Sequence, residues 1–108
     1  MAKLLIKPAG ACGFPVTITV DKNEDNILDV KISSGCEMAV ELGRRINGKP
    51  WRKGIFGKML QSEVFIQAND CIKHISCPVP VGLLKTIEVD VGAAVPVDVS
   101  LKFSKSDD

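Results

Sequence analysis

The stretch FPVTITVDKNEDNILDVKIS, residues 14–33, decides the fold class of this chain. Two runs in it, residues 14–20 and 27–33, alternate apolar or β-branched side chains with polar ones, and the polar cluster KNEDN lies between them. Successive side chains of a strand point to opposite faces, so this period of two is typical of strands with one buried face. The stretch therefore predicts an antiparallel hairpin. The residues expected to face the core are Ile27 or Leu28, Val30 and Ile32.

Outside the hairpin, the hydrophobic pattern predicts a strand before it, helices after it and a strand at the end. Spacings of three and four indicate helices ending near Asn47, spanning residues 61–72 with Ser62 as a possible N-cap, and running from Pro78 to Gly92. Residues 3–7 and 95–104 read as strands. The expected class is α+β: a small antiparallel sheet packed against about three helices, with an added C-terminal strand. A single domain covers residues 1–103, and residues 104–108 form a polar tail.

Composition and charge narrow the class of protein. The chain has 108 residues, of which 45% are hydrophobic and 25% charged, as in ordinary globular proteins. A net charge of +1 argues against general attraction to nucleic acid, and no apolar run approaches the length of a membrane span. The apolar stretch at residues 4–6 is too short for a signal peptide. We therefore expect a cytoplasmic protein, whose four cysteines indicate metal or redox chemistry more than disulfides.

Three of the cysteines fall at junctions between predicted elements. Cys12 lies in a small-residue loop ahead of the hairpin, Cys36 lies where the hairpin gives way to the first helix, and Cys77 directly precedes Pro78. We refer to Cys12, Cys36 and Cys77 as the junction cysteines. A helix N-terminus favours a thiolate over a thiol, so Cys36 and Cys77 are expected to ionise readily. The junction cysteines are thus candidate ligands of one metal site.

The run CIKHISC, residues 71–77, adds two further candidate ligands. If a helix continued through Cys71, its side chain and that of His74 would share a face at i and i+3, and Cys77 could converge on the same point. The spacing is not a known zinc-finger pattern, and the sequence has no CxxC pair. Packing of Cys71 in the core therefore remains an alternative.

The arrangement of the junction cysteines resembles the N-terminal scaffold family of iron-sulfur cluster assembly, IscU/NifU. The matching features are Cys12-Gly13 before the hairpin, Gly35-Cys36 before a helix, and the HISC of residues 74–77 before another helix. The CGF, SxC and CPVP patterns also resemble uncharacterised small proteins of anaerobic microbes. The scaffold resemblance implies that the junction cysteines bind zinc or an iron-sulfur cluster, with His74 as a possible fourth ligand. It also implies a sulfur donor or a cluster-acceptor protein as partner.

The chain departs from the scaffold family at specific positions. The family has an aspartate that tunes cluster release directly after the Cys-Gly pair, and this chain has Phe14. The family's histidine adjoins the third cysteine, whereas His74 and Cys77 are separated by two residues. Cys71 and the last predicted strand are additional. Either His74 or Cys71 could complete a tetrahedral site.

Two other functions compete with metal binding. In the first, one cysteine accepts persulfide sulfur and another resolves it, as in a thiol carrier or redox protein. In the second, the basic segment of residues 44–58, with Trp51 and Phe56 among its cations, docks an acidic partner protein or a nucleic-acid backbone. Hydrolysis by a Cys-His pair lacks an identifiable orienting group. We therefore expect a non-enzymatic protein.

Overall fold

The computed structural model of the protein describes residues 1–7, 12–52 and 55–105. In these ranges β1 (Ala2–Ile6), β2 (Val16–Lys22) and β3 (Leu28–Ser34) form one antiparallel sheet in the order β1-β2-β3. The predicted hairpin is confirmed, because β2 and β3 pair from Val16↔Ser34 to Lys22↔Leu28. Its turn contains Asn26 at φ 60°, a left-handed conformation that asparagine tolerates better than most residues.

The sheet has one buried face. Burial alternates along β2 and β3, as the period of two in the sequence requires. The buried residues of these two strands are Val16, Ile18, Val20, Leu28, Val30 and Ile32, and Ala2 of β1 is buried as well. Burying this face removes apolar surface from water, at about 25 cal/mol per Å², and the helices must supply the opposing surface.

The described residues form three α-helices, α1 (Glu37–Ile46), α2 (Glu63–Cys71) and α3 (Val79–Asp90). Their apolar stripes complete a single core with the sheet, and the predicted α+β class is confirmed. The helix residues in the core are Ala39, Leu42, Ile46, Val64, Ala68, Val79, Leu83 and Ile87. No helix among the described residues is long and apolar enough to cross a membrane.

The direction of α3 across the sheet follows from contacts at its two ends. Near its N-terminus, a Cβ added to Gly82 would lie 2.8 Å from Ile6 Cδ1 and 2.9 Å from Leu4 Cδ2. At its C-terminus, a carboxylate oxygen of Asp90 accepts a hydrogen bond from the Lys22 backbone amide at 2.7 Å. The helix therefore begins at the end of the sheet where β1 ends and β2 begins, and it runs toward the opposite end.

Local structure differs from the expectation at two places. Ser62 occupies the N-cap position of α2, but its hydroxyl makes no capping bond and instead donates to the backbone carbonyl of Ile55. The added C-terminal strand is also absent: residues 95–105, all described, lie exposed and form no strand. Their alternating sequence meets the local requirement of a strand, but a strand also needs a neighbour to accept its hydrogen bonds.

The contact of α1 with β3 depends on Gly43. A Cβ at this position would lie 2.9 Å from Ile32 Cγ1 and 3.0 Å from Ile32 Cβ, atoms close to the strand backbone that cannot easily shift. We expect Gly43→Ala to lower the free energy of unfolding by about 1–3 kcal/mol through overpacking. Urea denaturation followed by circular dichroism measures this change.

The neighbouring variant Arg44→Ala is the control, because the Arg44 side chain is 72% exposed and makes only a surface ion pair with Glu41. Its expected effect is within about 0.5 kcal/mol. If Gly43→Ala instead stabilised the protein by the about 1 kcal/mol that helix propensity alone predicts, the close packing of α1 on β3 would be disproved.

Candidate functional site

The sheet topology brings Cys12 and Cys36 to the same end of the molecule. Because the strands are antiparallel, Ile6 pairs with Val16 and Val16 pairs with Ser34, so these residues mark one end of the sheet. Cys12 lies in the connection from β1 to β2, and Cys36 is the N-cap residue of α1, directly after β3. Both cysteines are half-buried.

Cys77 reaches this end from the helical layer. It precedes Pro78, the N-cap residue of α3, and α3 begins over the end of the sheet that Ile6 marks. Its side chain is half-buried and packs against the hydrophobic core, as do those of Cys12 and Cys36. Three separate connections therefore bring the junction cysteines to one end of the fold.

The ring of Phe14 holds the loop of Cys12 against that of Cys36. A Cβ added to Gly35 would lie 2.7 Å from Phe14 Cδ1 and 2.8 Å from Cε1, so the ring packs directly over the glycine. Gly13 supports the approach with a φ of 72°, a conformation that glycine adopts without strain. The sequence did not predict this contact, although a glycine next to a candidate ligand is a signal of close backbone approach.

The electrostatic environment of Cys77 includes both of the other junction cysteines. Burial raises the pKa of the Cys77 thiol, and the Val79 backbone amide, which donates to the sulfur, opposes this rise. Negative charge on Cys36 and on Cys12 would raise the Cys77 pKa further. Each of the two sulfurs is thus close enough to influence the third.

The expected ionisation of Cys77 was wrong in direction. The sequence placed it at a helix N-terminus, where backbone amides lower a thiol pKa, and one such amide does act on it. Removal of the sulfur from water outweighs that bond, so the pKa rises above the ordinary value for cysteine. In the metal-free protein, the Cys77 side chain is therefore a thiol at neutral pH.

His74 and Cys71 do not share a helical face, contrary to expectation. Helix α2 ends at Cys71, and residues 74–77 form a turn in which the Cys77 amide donates to the His74 carbonyl at 3.1 Å. His74 is exposed on this turn. Cys71 is half-buried, with its sulfur 4.0 Å from the Met38 carbonyl oxygen of α1. The structure therefore places His74 on the turn next to Cys77 and Cys71 at the contact between α1 and α2.

Within the described part of the chain, no three His, Cys, Asp or Glu side chains are already positioned to hold a metal ion. The junction cysteines are neighbours, but their side chains are not arranged in ligand geometry.

The sequence pattern of a family of unknown function, DUF6951, matches residues 2–103. The chain belongs to this family. No curated protein and no solved structure matches it. The matched region contains all the described strands and helices and every junction cysteine, and it continues through the C-terminal segment as far as Phe103.

Several cations of the basic segment are paired with acids from elsewhere in the chain. Arg45 bonds to Glu41 and Asp70, and Lys49 Nζ lies 3.1 Å from Glu63 Oε1. Lys53 lies outside the described residues. The sequence run has no acid of its own, but α1 and α2 supply these carboxylates. The pairing reduces the positive charge that this segment offers to an acidic partner.

The environment of Glu63 gives a pH-dependent test of this pairing. Hydrogen bonds from the Gln67 amide and from Lys49 hold the Glu63 pKa below its ordinary value. We expect Lys49→Met and Gln67→Leu each to raise that pKa, as measured by NMR titration of the side-chain carboxyl. The stabilising contribution of Glu63 is present above the ordinary glutamate pKa and is lost as the pH falls through the lowered value.

Lys58→Met is the control for this titration, because Lys58 is exposed and forms no ion pair with the described residues. It should leave the Glu63 pKa unchanged. An equal rise in the Lys58 and Lys49 variants would mean that overall charge, and not the local pair, sets the pKa of Glu63.

Proposed function

We propose that the chain is a non-enzymatic protein that binds zinc or an iron-sulfur cluster through the junction cysteines, in the manner of the IscU/NifU scaffolds that it resembles. The observation that carries this proposal is the gathering of Cys12, Cys36 and Cys77 at one end of the fold. Three thiols supplied by three connections that are distant in sequence form a donor set suited to a soft metal.

The chemistry of these sulfurs fits such a group. Thiolates are preferred ligands of zinc and of iron-sulfur clusters, and a half-buried position at the edge of a core limits access by water. The cysteine side chains would have to move to bind a metal, because they are not arranged in ligand geometry. A bound metal would supply the positive charge that stabilises thiolates in a half-buried position, and its binding would release the thiol protons.

Burial of Cys77 favours metal binding over sulfur carriage. A persulfide carrier attacks its donor as a thiolate, so its reactive cysteine needs a pKa near or below neutral pH. Burial shifts the Cys77 pKa in the opposite direction. A metal ion displaces the proton directly, and a raised pKa in the metal-free protein is compatible with that reaction.

The fourth ligand is proposed to be His74, with Cys71 as the alternative. His74 is exposed and is joined to Cys77 by a single turn, so it can turn toward the site without unpacking a helix. Cys71 packs between α1 and α2, and its recruitment would disturb that contact.

A scaffold of this kind exchanges its cargo with other proteins. We propose a sulfur donor or a cluster-acceptor protein as the partner, and the cytoplasm as the location, because thiols remain reduced there. The pairing of Arg45 and Lys49 with carboxylates weakens the competing hypothesis that the basic segment is the main functional surface.

The central test is metal retention by single cysteine variants purified without oxygen. We expect Cys12→Ser, Cys36→Ser and Cys77→Ser each to weaken zinc binding by about 100-fold or more, because loss of an outer-shell contact alone costs 10–100-fold. Competition with a chromophoric chelator measures zinc affinity, and absorption spectra with elemental analysis measure cluster content.

Cys71→Ser is the matched control, and His74→Ala identifies the fourth ligand. The proposal predicts a smaller loss for Cys71→Ser than for any junction variant. Equal metal retention in all three junction variants would refute it. A metal-free parent that takes up neither zinc nor iron, but carries a fast-reacting thiol, would establish sulfur carriage instead.

The packing of Phe14 on Gly35 leads to a prediction about metal release. If the ring keeps the loops of Cys12 and Cys36 together, Phe14→Asp should loosen them and also introduce the residue that the resembled family uses at this position. We expect zinc transfer to a chelator to become about tenfold faster or more, since loss of supporting contacts costs 10–100-fold in metal affinity. Stopped-flow absorbance measures this rate.

Phe14→Leu is the control, because leucine retains an apolar contact with Gly35 without introducing charge. It should release zinc at nearly the parent rate. Identical release from the parent and from Phe14→Asp would show that this packing does not govern the site.

A further inference from the structure

The C-terminal segment, residues 95–103, carries a row of exposed apolar side chains with the period of a strand. Leu101 is 86% exposed and Phe103 is 109% exposed. The other members of the row, Val95, Val97 and Val99, are 60–73% exposed. Contiguous exposed apolar surface of this kind marks an interaction site more often than a solvated tail. The segment therefore has the side chains of a half-buried strand but no sheet to join.

The way α3 ends sends the segment away from its own domain. Gly92 has a φ of 80°, and the amides of Ala93 and Ala94 both donate to the Glu88 carbonyl, at 2.8 and 3.2 Å. These bonds cap the helix and set the direction in which the chain leaves it. Among the described residues, the only backbone hydrogen bond within residues 95–105 joins Val97 to Val95. The segment therefore pairs with no strand among the described residues. The molecule is elongated, with dimensions of 53 × 28 × 25 Å.

The outer edge of β1 is open to receive a strand. Within the described ranges, β1 pairs only with β2. The opposite edge is occupied where β3 begins, since the Leu28 amide donates to the Lys49 carbonyl at 2.9 Å and the Val30 amide donates to Asn47 Oδ1 at 2.9 Å. An unpaired edge presents backbone donors and acceptors that favour pairing with another chain.

The core is also incompletely covered beside that edge. Leu4 and Ile6 lie against Gly82 of α3, yet both remain only partly buried. Val81, the neighbour of Gly82 on α3, is 45% exposed. We refer to Leu4, Ile6 and Val81 as the apolar shelf. A fourth strand next to β1 would place alternate side chains over this shelf, as in strand addition to sheet edges.

We propose that residues 95–103 add as a fourth strand to β1 of a second copy of this chain, and that the exchange is reciprocal. The apolar row would cover the Leu4, Ile6 and Val81 shelf of the partner, while Asp98, Ser100 and Lys102 face solvent on the outer side. Each copy supplies one segment and one open edge, so a two-fold dimer satisfies both. The family match extends to Phe103, the last member of the row, so the matched region includes the whole segment.

The test compares the mass of the full chain with that of two variants, by light scattering after size exclusion, in reductant and chelator so that thiol or metal links do not contribute. The parent should have twice the mass of one chain. Val99→Lys with Leu101→Lys places two charges against the apolar shelf and should weaken dimerisation by about 100-fold or more. Its domain should stay folded, because neither residue packs in the core.

Ser100→Lys with Ser104→Lys is the charge-matched control and should remain dimeric, because both serines lie on the polar side of the segment. Hydrogen exchange of the Val99 and Leu101 amides gives a second measurement. Slow exchange is expected in the parent dimer and fast exchange in the Val99, Leu101 variant.

Mixed samples of differently labelled chains decide which copy supplies the strand. Nuclear Overhauser contacts between Val99 of one chain and Leu4 or Ile6 of the other support the proposal. A monomer with slowly exchanging tail amides would overturn it, because the segment would then pair with its own sheet. A monomer with fast tail exchange, or a dimer that survives the Val99, Leu101 variant, would also overturn it.

Discussion

The close approach of α3 to the sheet at Gly82 is the contact on which the rest of the structure depends. A single added carbon there would come within 2.8 Å of Ile6 Cδ1 and 2.9 Å of Leu4 Cδ2, so any larger residue would have to displace the ends of these side chains. Leu83 and Ile87 of the same helix are fully buried in one core with Ile18 and Val20. Because Cys77 directly precedes α3, the same contact places its sulfur at the end of the sheet.

The candidate site follows from this placement together with antiparallel pairing. The loop after β1 and the turn after β3 must lie at one end of a three-stranded antiparallel sheet, and α3 contributes its N-terminus to the same end. Phe14 then closes the distance between two of the three loops by packing on Gly35. The burial that results has a chemical consequence, since it raises the pKa of Cys77 and so favours the protonated thiol.

The open edge of β1 and the unpaired C-terminal segment are complementary features. One offers backbone hydrogen-bonding groups beside partly covered apolar side chains, and the other offers a row of apolar side chains with no hydrogen-bonding partner. The proposed exchange involves the edge of the sheet next to Leu4, whereas the junction cysteines lie at its end. Because the two surfaces differ, the proposed dimer and the proposed metal binding can be separated by mutation.

The sequence by itself determined the elements of this domain. Alternation over residues 14–33 predicted the hairpin, and helical spacing with Pro78 at its start predicted α3, because both patterns depend on local backbone geometry. The sequence also showed that the junction cysteines lie between predicted strands and helices. Their gathering, the raised pKa of Cys77 and the end of α2 at Cys71 were decided only by tertiary structure, since burial depends on which elements pack together. The predicted C-terminal strand shows the same limit. Its alternating side chains can be read from the local sequence, but whether a neighbouring strand is present to pair with it depends on tertiary structure.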